Sequence, residues 1–155
     1  MPIGEFVYPR RVQYKETDAS GIVHFSSFLV YAEEAEHAMW RAAGLSVEPP
    51  HSEVGWPRVS VSCEFFRALR FEDDIEVRIR LVERTDKTFR YQSVIMLRGE
   101  VAAIGSSTSI CVRKVPGERL RAIAIPEEIV RRFNVMPPVE PPSRRRATAS
   151  RPPAD

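Results

Sequence analysis

A chain of 155 residues, 43% of them hydrophobic, is enough for one domain that builds its core without disulfides or metals. The formal net charge of +2 sits at the C-terminus: residues 1–136 hold 19 Lys and Arg against 19 Asp and Glu, and the last 19 residues hold four Arg against two acids. A neutral body excludes a duplex-wide nucleic-acid surface, Cys63 and Cys111 stand too far apart for a zinc or redox pair, and no window approaches the roughly 18 apolar residues of a membrane span, so a cytoplasmic protein with inert buried thiols is expected.

The run from Phe6 to Tyr14 is aromatic and β-branched but interrupted by Pro9, which predicts an edge-like or bulged strand. A loop follows over 15–25. From Ser27 to Ala43 the positions Phe28, Tyr31, Ala32, Ala35, Met39 and Ala42 recur at three- and four-residue steps, which predicts a helix of roughly 25 Å. Ser26 or Ser27 would cap its start and Gly44 would close it.

Beyond a loop holding Pro49, Pro50, Gly55 and Pro57 the period becomes two. Val59, Val61, Cys63 and Phe65 alternate with polar neighbours, then Ile75, Val77, Ile79 and Leu81, then Phe89, Tyr91, Ser93, Ile95 and Leu97. Arg98-Gly99-Glu100 reads as a tight turn into a strand over 101–115, whose Ala102, Ala103, Gly105, Ser106 and Ser107 admit a close neighbour. Pro126 starts a short helix from Glu127 to Phe133. One strand, one long helix and four sequential strands place the chain in the α+β class, with an antiparallel sheet of about five strands wrapped around the helix. The domain spans 1–136. Residues 137–155, with six prolines and no apolar period, read as a Pro/Arg-rich disordered tail whose Arg144-Arg145-Arg146 run suits solvent better than an anionic partner.

The chain has no P-loop, GxGxxG, GxSxG or HExxH, so nucleotide-loop, Rossmann, serine-hydrolase and zincin chemistry have no foothold. His37, four residues after Glu33, shares its helix face and suits a surface pair better than catalysis. Asp18 precedes the long helix and Gly21, where a ligand can approach the backbone. On its own, though, Thr-Asp-Ala-Ser-Gly is more simply a turn whose aspartate bonds its own backbone.

The segment Tyr14-Lys15-Glu16-Thr17-Asp18-Ala19-Ser20-Gly21-Ile22-Val23-His24-Phe25, followed by Phe28 and by Glu33, resembles the signature of the 4-hydroxybenzoyl-CoA thioesterase family of hotdog-fold proteins. The similarity continues through Gly55-Trp56-Pro57 and Glu64 to Asp73, and runs over about residues 5–133. It implies hydrolysis of an acyl-CoA or aroyl-CoA by a homodimer, assembling further to a homotetramer, with sites at the interface under the long helix. It assigns the thioester carbonyl to Asp18, as nucleophile or as base for water, with Gly21 in its loop and backbone amides around His24 and Phe25 polarising the oxygen. Two positions depart from the pattern: Phe25 stands where many members carry histidine, and Ser27 where they carry asparagine.

Further roles are expected for Phe28, Tyr31, Trp56 and Glu33 at the acyl group, although such aromatics also simply pack cores. Arg67, Arg70, Lys87 and Arg90 are candidates for the phosphates of coenzyme A, against ordinary strand-face solubility. No metal and no cofactor are expected, coenzyme A being part of the substrate. Two alternatives stand beside hydrolysis: a hotdog hydratase or dehydratase, which wants a paired histidine and acid, and a non-catalytic acyl-CoA-binding hotdog.

Overall fold

The aromatic N-terminal run forms β1 (Glu5–Arg11) at the edge of a sheet, where Pro9, with no amide proton to give, lies opposite Glu76. The computed structural model describes residues 1–143. After one turn of 3-10 helix at Tyr14–Glu16 comes α1 (Phe25–Ala42). It starts earlier than the apolar period indicates, because its cap is His24 and not a serine: the His24 ring Nδ1 accepts from the Ser26 amide at 3.2 Å. Its end is as expected. Gly44, at φ +78°, donates to the Arg41 carbonyl at 3.0 Å, and Leu45 donates to that of Trp40 at 2.9 Å, the paired closure that a left-handed residue permits.

β2 (Val54–Gly55), β3 (Arg58–Phe65), β4 (Asp74–Arg84), β5 (Thr88–Leu97) and β6 (Glu100–Ile110) follow, then β7 (Val112–Arg113), β8 (Arg121–Ala122) and α2 (Glu127–Val130). The main sheet has five strands in the order β1-β4-β5-β6-β3, all antiparallel, and carries one long helix. β4, β5 and β6 are successive hairpins, and Arg98 and Gly99, at φ +49° and +76°, make the tight turn between the last two. β3 is not their sequential neighbour but pairs with β6 at the far edge. Register breaks in β3, β4 and β6 let the sheet curl around α1. The three-stranded sheet β2-β7-β8 was not legible, since strands of two residues show no period.

Ile75, Val77, Ile79 and Leu81 are at most 2% exposed, and pack with Tyr31, Ala35, Met39 and Trp40 of α1 in one core. The alternation in β3 means something else. Val59, Val61 and Phe65 are 59%, 50% and 44% exposed, because a strand bonded on one side only leaves its other edge and much of both faces to solvent. Gly105 lies opposite Ser93 and Cys63, and a Cβ there would sit 2.6 Å from the Ser93 hydroxyl, so the close approach read from the small residues of β6 is real. Cys63 and Cys111 are free thiols, and burial pushes both up, Cys63 to about 11.

Residues 137–143, which composition placed in the tail, run back across the outward face of the sheet. Met136 donates to the Leu81 carbonyl at 2.8 Å, Arg80 donates to that of Pro137 at 2.7 Å, and the Gln92 amide exchanges two bonds with the Val139 backbone at 2.7 and 2.9 Å. Gln92, which points away from α1, is 8% exposed in consequence. The Arg144-Arg145-Arg146 run lies outside the described residues. Among the described residues no helix is long and apolar enough to cross a membrane.

Candidate active site

The loop between the 3-10 turn and α1 is closed by its own backbone. Asp18 donates to the Ile22 carbonyl at 2.8 Å, Gly21 donates to that of Asp18 at 3.0 Å, and Thr17 bridges Val23. The Asp18 Oδ1 accepts from the Ser20 amide at 2.8 Å, so the turn reading of this aspartate holds. The turn also brings the half-buried carboxylate to the wall of an open cleft of about 440 Å³. Phe25 and Phe28 from α1 and Phe65 and Leu69 from the end of β3 and beyond complete the apolar lining. Phe28 meets Phe65 edge-on at 4.9 Å between ring centres.

Gly21 has φ +77° and open space where a Cβ would stand. Gly21→Ala therefore meets no clash but pays for the left-handed backbone. We expect a loss of roughly 1–2 kcal/mol, read as a lowered midpoint in urea unfolding, with a fall in any Asp18-dependent activity; an unchanged midpoint would show that the loop relaxes freely.

Helix-start amides are the natural donors for a developing oxyanion, and the structure narrows which of them is available. The His24 amide is given to the Glu16 carbonyl at 2.8 Å, that of Val23 to Leu69 at 2.8 Å, and that of Ser26 to the His24 ring. The Phe25 amide, first in α1, has no acceptor among the described residues. It lies beside the cleft at the positive end of the helix dipole.

Sequence reasoning passed over the group that holds this loop. Glu16 is buried; its carbonyl accepts from the His24 amide and from the Ser27 hydroxyl at 3.3 Å. Its carboxylate is chelated by the Arg10 guanidinium, and takes the Tyr31 hydroxyl at 2.9 Å and the Gln13 amide at 2.7 Å. Burial alone would push the Glu16 carboxyl up, but Arg10, Gln13 and Tyr31 together hold it below its ordinary value. Arg10 also bonds Glu34 at 2.9 Å and stands 4.9 Å from the centre of the Tyr31 ring. The one sequence signal was Gln13 three residues before Glu16, the spacing of a capping box.

Of the residues singled out from sequence, Asp18, Phe25, Phe28 and Arg67 line the same cleft, with Gly21 in its loop. His24 stands at its rim as the helix cap, its ring stacked on Phe25 at 4.3 Å. Tyr31 is fully buried beneath it on Glu16. Glu33 lines a separate cavity of about 210 Å³ between α1 and the sheet, where the buried Glu36 pairs with Arg58. Trp56 packs on Trp40 and stacks on Phe89 near the other end of α1. Arg70 is exposed in the turn before β4. Lys87 and Arg90, the latter paired with Glu83 at 2.6 Å, lie at the far end of the β4–β5 hairpin, roughly 30 Å along the strands from Asp74.

Residues 12–133 match the family model of the thioesterase-like superfamily. A protein of Aquifex aeolicus (strain VF5) is 34% identical over 130 residues, covering 81% of this chain and 94% of that one. A 1,4-dihydroxy-2-naphthoyl-CoA hydrolase of Microcystis aeruginosa (strain NIES-843) is 27% identical over 124 residues, covering 79% and 88%. The crystal structure of a 1,4-dihydroxy-2-naphthoyl-CoA thioesterase from Synechocystis superposes with a TM-score of 0.78 at 21% identity, covering 84% of this chain and 96% of that one, which shows the shared hotdog fold.

Proposed function

Since this chain belongs to the thioesterase-like superfamily, we propose that it hydrolyses an acyl-CoA or aroyl-CoA thioester to the free acid and coenzyme A, with Asp18 as the reacting carboxylate. The observation that carries the proposal is the placement of one carboxylate, fixed by its turn, in an apolar cleft at the start of α1. Asp18 attacks the carbonyl carbon itself, forming a mixed anhydride that water then opens, or takes a proton from the water that attacks; in both routes the thiolate of coenzyme A leaves and is protonated. The Phe25 amide, at the start of α1, polarises the thioester oxygen in this reading. Water is the only co-reactant, so no cofactor is required, and two free thiols suit a reducing cytoplasm.

The test is release of free thiol from a panel of acyl- and aroyl-CoAs by the purified chain. Release from at least one member supports the proposal. Stabilisation by acyl-CoA without release from any would move the assignment to binding alone. A hydratase is less well served, because the His24 ring is engaged with Ser26 and stacked on Phe25.

The open edge of β3 supports the homodimer that the resemblance implies, and beyond it the homotetramer. An outer edge that bonds no strand among the described residues, and the exposed Val59, Val61 and Phe65, suit pairing with a second copy, and Phe65 joins that edge to the Asp18 cleft. Val61→Lys is expected to raise the dimer dissociation constant by at least about tenfold, roughly 1.4 kcal/mol, as seen by sedimentation velocity. An unchanged dimer would place the contact elsewhere.

A further inference from the structure

Two aromatic rings stand together in water beside the Asp18 loop. Tyr14 is 76% exposed and Phe71 47%, and the rings meet edge-on at 5.7 Å between centres. Both are tied to the cleft by its own backbone. The Tyr14 carbonyl accepts from the Thr17 amide at 3.1 Å and from the Thr17 hydroxyl at 2.7 Å, immediately before Asp18. Phe71 comes two residues after Leu69, which lines the cleft and accepts the Val23 amide, and chain geometry holds their Cα atoms within about 7 Å.

A cation stands next to each ring. Lys15 adjoins Tyr14 and Arg70 adjoins Phe71; both are exposed, and neither has an ion-pair partner among the described residues. The acids nearest to them in sequence are engaged elsewhere. Glu16 is chelated by Arg10, Asp73 meets Arg98 at 3.7 Å and the Arg70 amide at 2.8 Å, Asp74 pairs with Arg11 at 2.8 Å, and Glu72 acts on Arg11 as well.

We propose that Tyr14 and Phe71 form the platform on which the adenine base of the coenzyme A thioester stacks, and that Lys15 and Arg70 take its phosphates; this rests on the thioesterase reading above. A nucleotide joins a flat ring to anionic groups, and the patch offers exposed rings and uncompensated cations side by side. Stacking on one aromatic side chain changes affinity roughly 5- to 150-fold. The other cations expected at the phosphates are less well placed: Arg67 is paired with Glu100, and Lys87 and Arg90 lie at the far end of the β4–β5 hairpin.

The test compares acyl-CoA with the matching acyl-pantetheine, which lacks the nucleotide, in the parent and in variants. In Tyr14→Ala, a change at a ring that is mostly in water, KM for acyl-CoA should rise about tenfold with kcat unchanged, while KM for acyl-pantetheine holds; Tyr14→Trp, which keeps a face for the base, should restore the parent KM. In Lys15→Gln with Arg70→Gln, KM for acyl-CoA should rise about fivefold at low salt, and the difference should shrink as salt is added. A KM for acyl-CoA within about twofold of the parent in Tyr14→Ala, or an equal rise for both substrates, overturns the platform. No rise in the double variant, or one that salt leaves unchanged, overturns the phosphate role. If Tyr14→Ala weakens a homodimer in sedimentation velocity and treats the two substrates alike, the rings are a subunit contact and the platform falls.

If the parent releases no thiol from any thioester, the thioesterase reading fails. Calorimetry with free coenzyme A and pantetheine then decides the platform separately: coenzyme binding that is weaker in Tyr14→Ala than in the parent upholds it, and equal or absent binding overturns it.

Discussion

Asp18→Asn protein should fold as the parent does and release thiol at least about a thousandfold more slowly. A positioned base or nucleophile contributes on the order of 10²–10⁴ in rate, and the amide of asparagine can neither attack the carbonyl nor take a proton from water. A thousandfold loss corresponds to roughly 4 kcal/mol of barrier. The substitution separates chemistry from structure because the structural duty of the residue survives it: the bond from the Ser20 amide to Oδ1 needs only a carbonyl oxygen, which asparagine supplies. Unchanged thermal midpoint with lost release is the expected pair of results. Unchanged release would remove Asp18 from the mechanism, and lost folding would mean that the charge holds the turn.

Arg10→Met should be the most damaging change to stability around the site. Removing one partner from a buried ion pair typically costs about 3–5 kcal/mol, and here it strands Glu16, which is 8% exposed. The cost should depend on pH in a definite direction. The carboxyl of Glu16 in the folded parent is held below its ordinary value, so its contribution to stability is present above the unfolded carboxylate pKa of about 4.3 and fades as pH falls through the lower folded value. Without Arg10 the folded value rises from that of the parent, because the guanidinium no longer offsets burial, so protonation relieves the stranded charge. The deficit of the variant should be largest near pH 7 and shrink below about pH 5, measured by urea unfolding at each pH. A deficit equal at both would point to lost packing of the arginine stem on Tyr31 and not to the ion pair. Because the Glu16 carbonyl holds His24 and Ser27, activity should fall with stability near neutrality.

The parts of this molecule that were readable are those in which a residue's neighbours in sequence are also its environment. α1 and its glycine closure, the alternation of β4 and β5 and the tight turn at Gly99 belong to that class. β3 shows why alternation alone is insufficient: Val59 and Val61 obey the period of a buried strand and yet are exposed, because burial depends on which strand lies beyond, and none does among the described residues. The Asp18 loop was found through its motif, but its support was not. Arg10, Glu16, Tyr31 and Glu34 come from three separate elements, and only the fold makes them a cluster. Trp56 was expected at the acyl group or in the core, and it packs on Trp40 and Phe89 near the other end of α1. The ordered beginning of the tail was hidden because its anchors are the backbone groups of Pro137 and Val139, which composition does not reveal.

The two tryptophans form a single cluster. Trp40 is 1% exposed, donates its indole N–H to the Tyr91 hydroxyl at 3.0 Å, and lies edge-on to Trp56 at 5.2 Å. About 22 Å of helix separates Trp40 from Phe25 at the cleft, at 1.5 Å per residue. The intrinsic ultraviolet emission of this protein is therefore a reporter of its core and not of its ligand. It should shift to the red in one step as the domain unfolds, and stay silent while substrate enters and leaves.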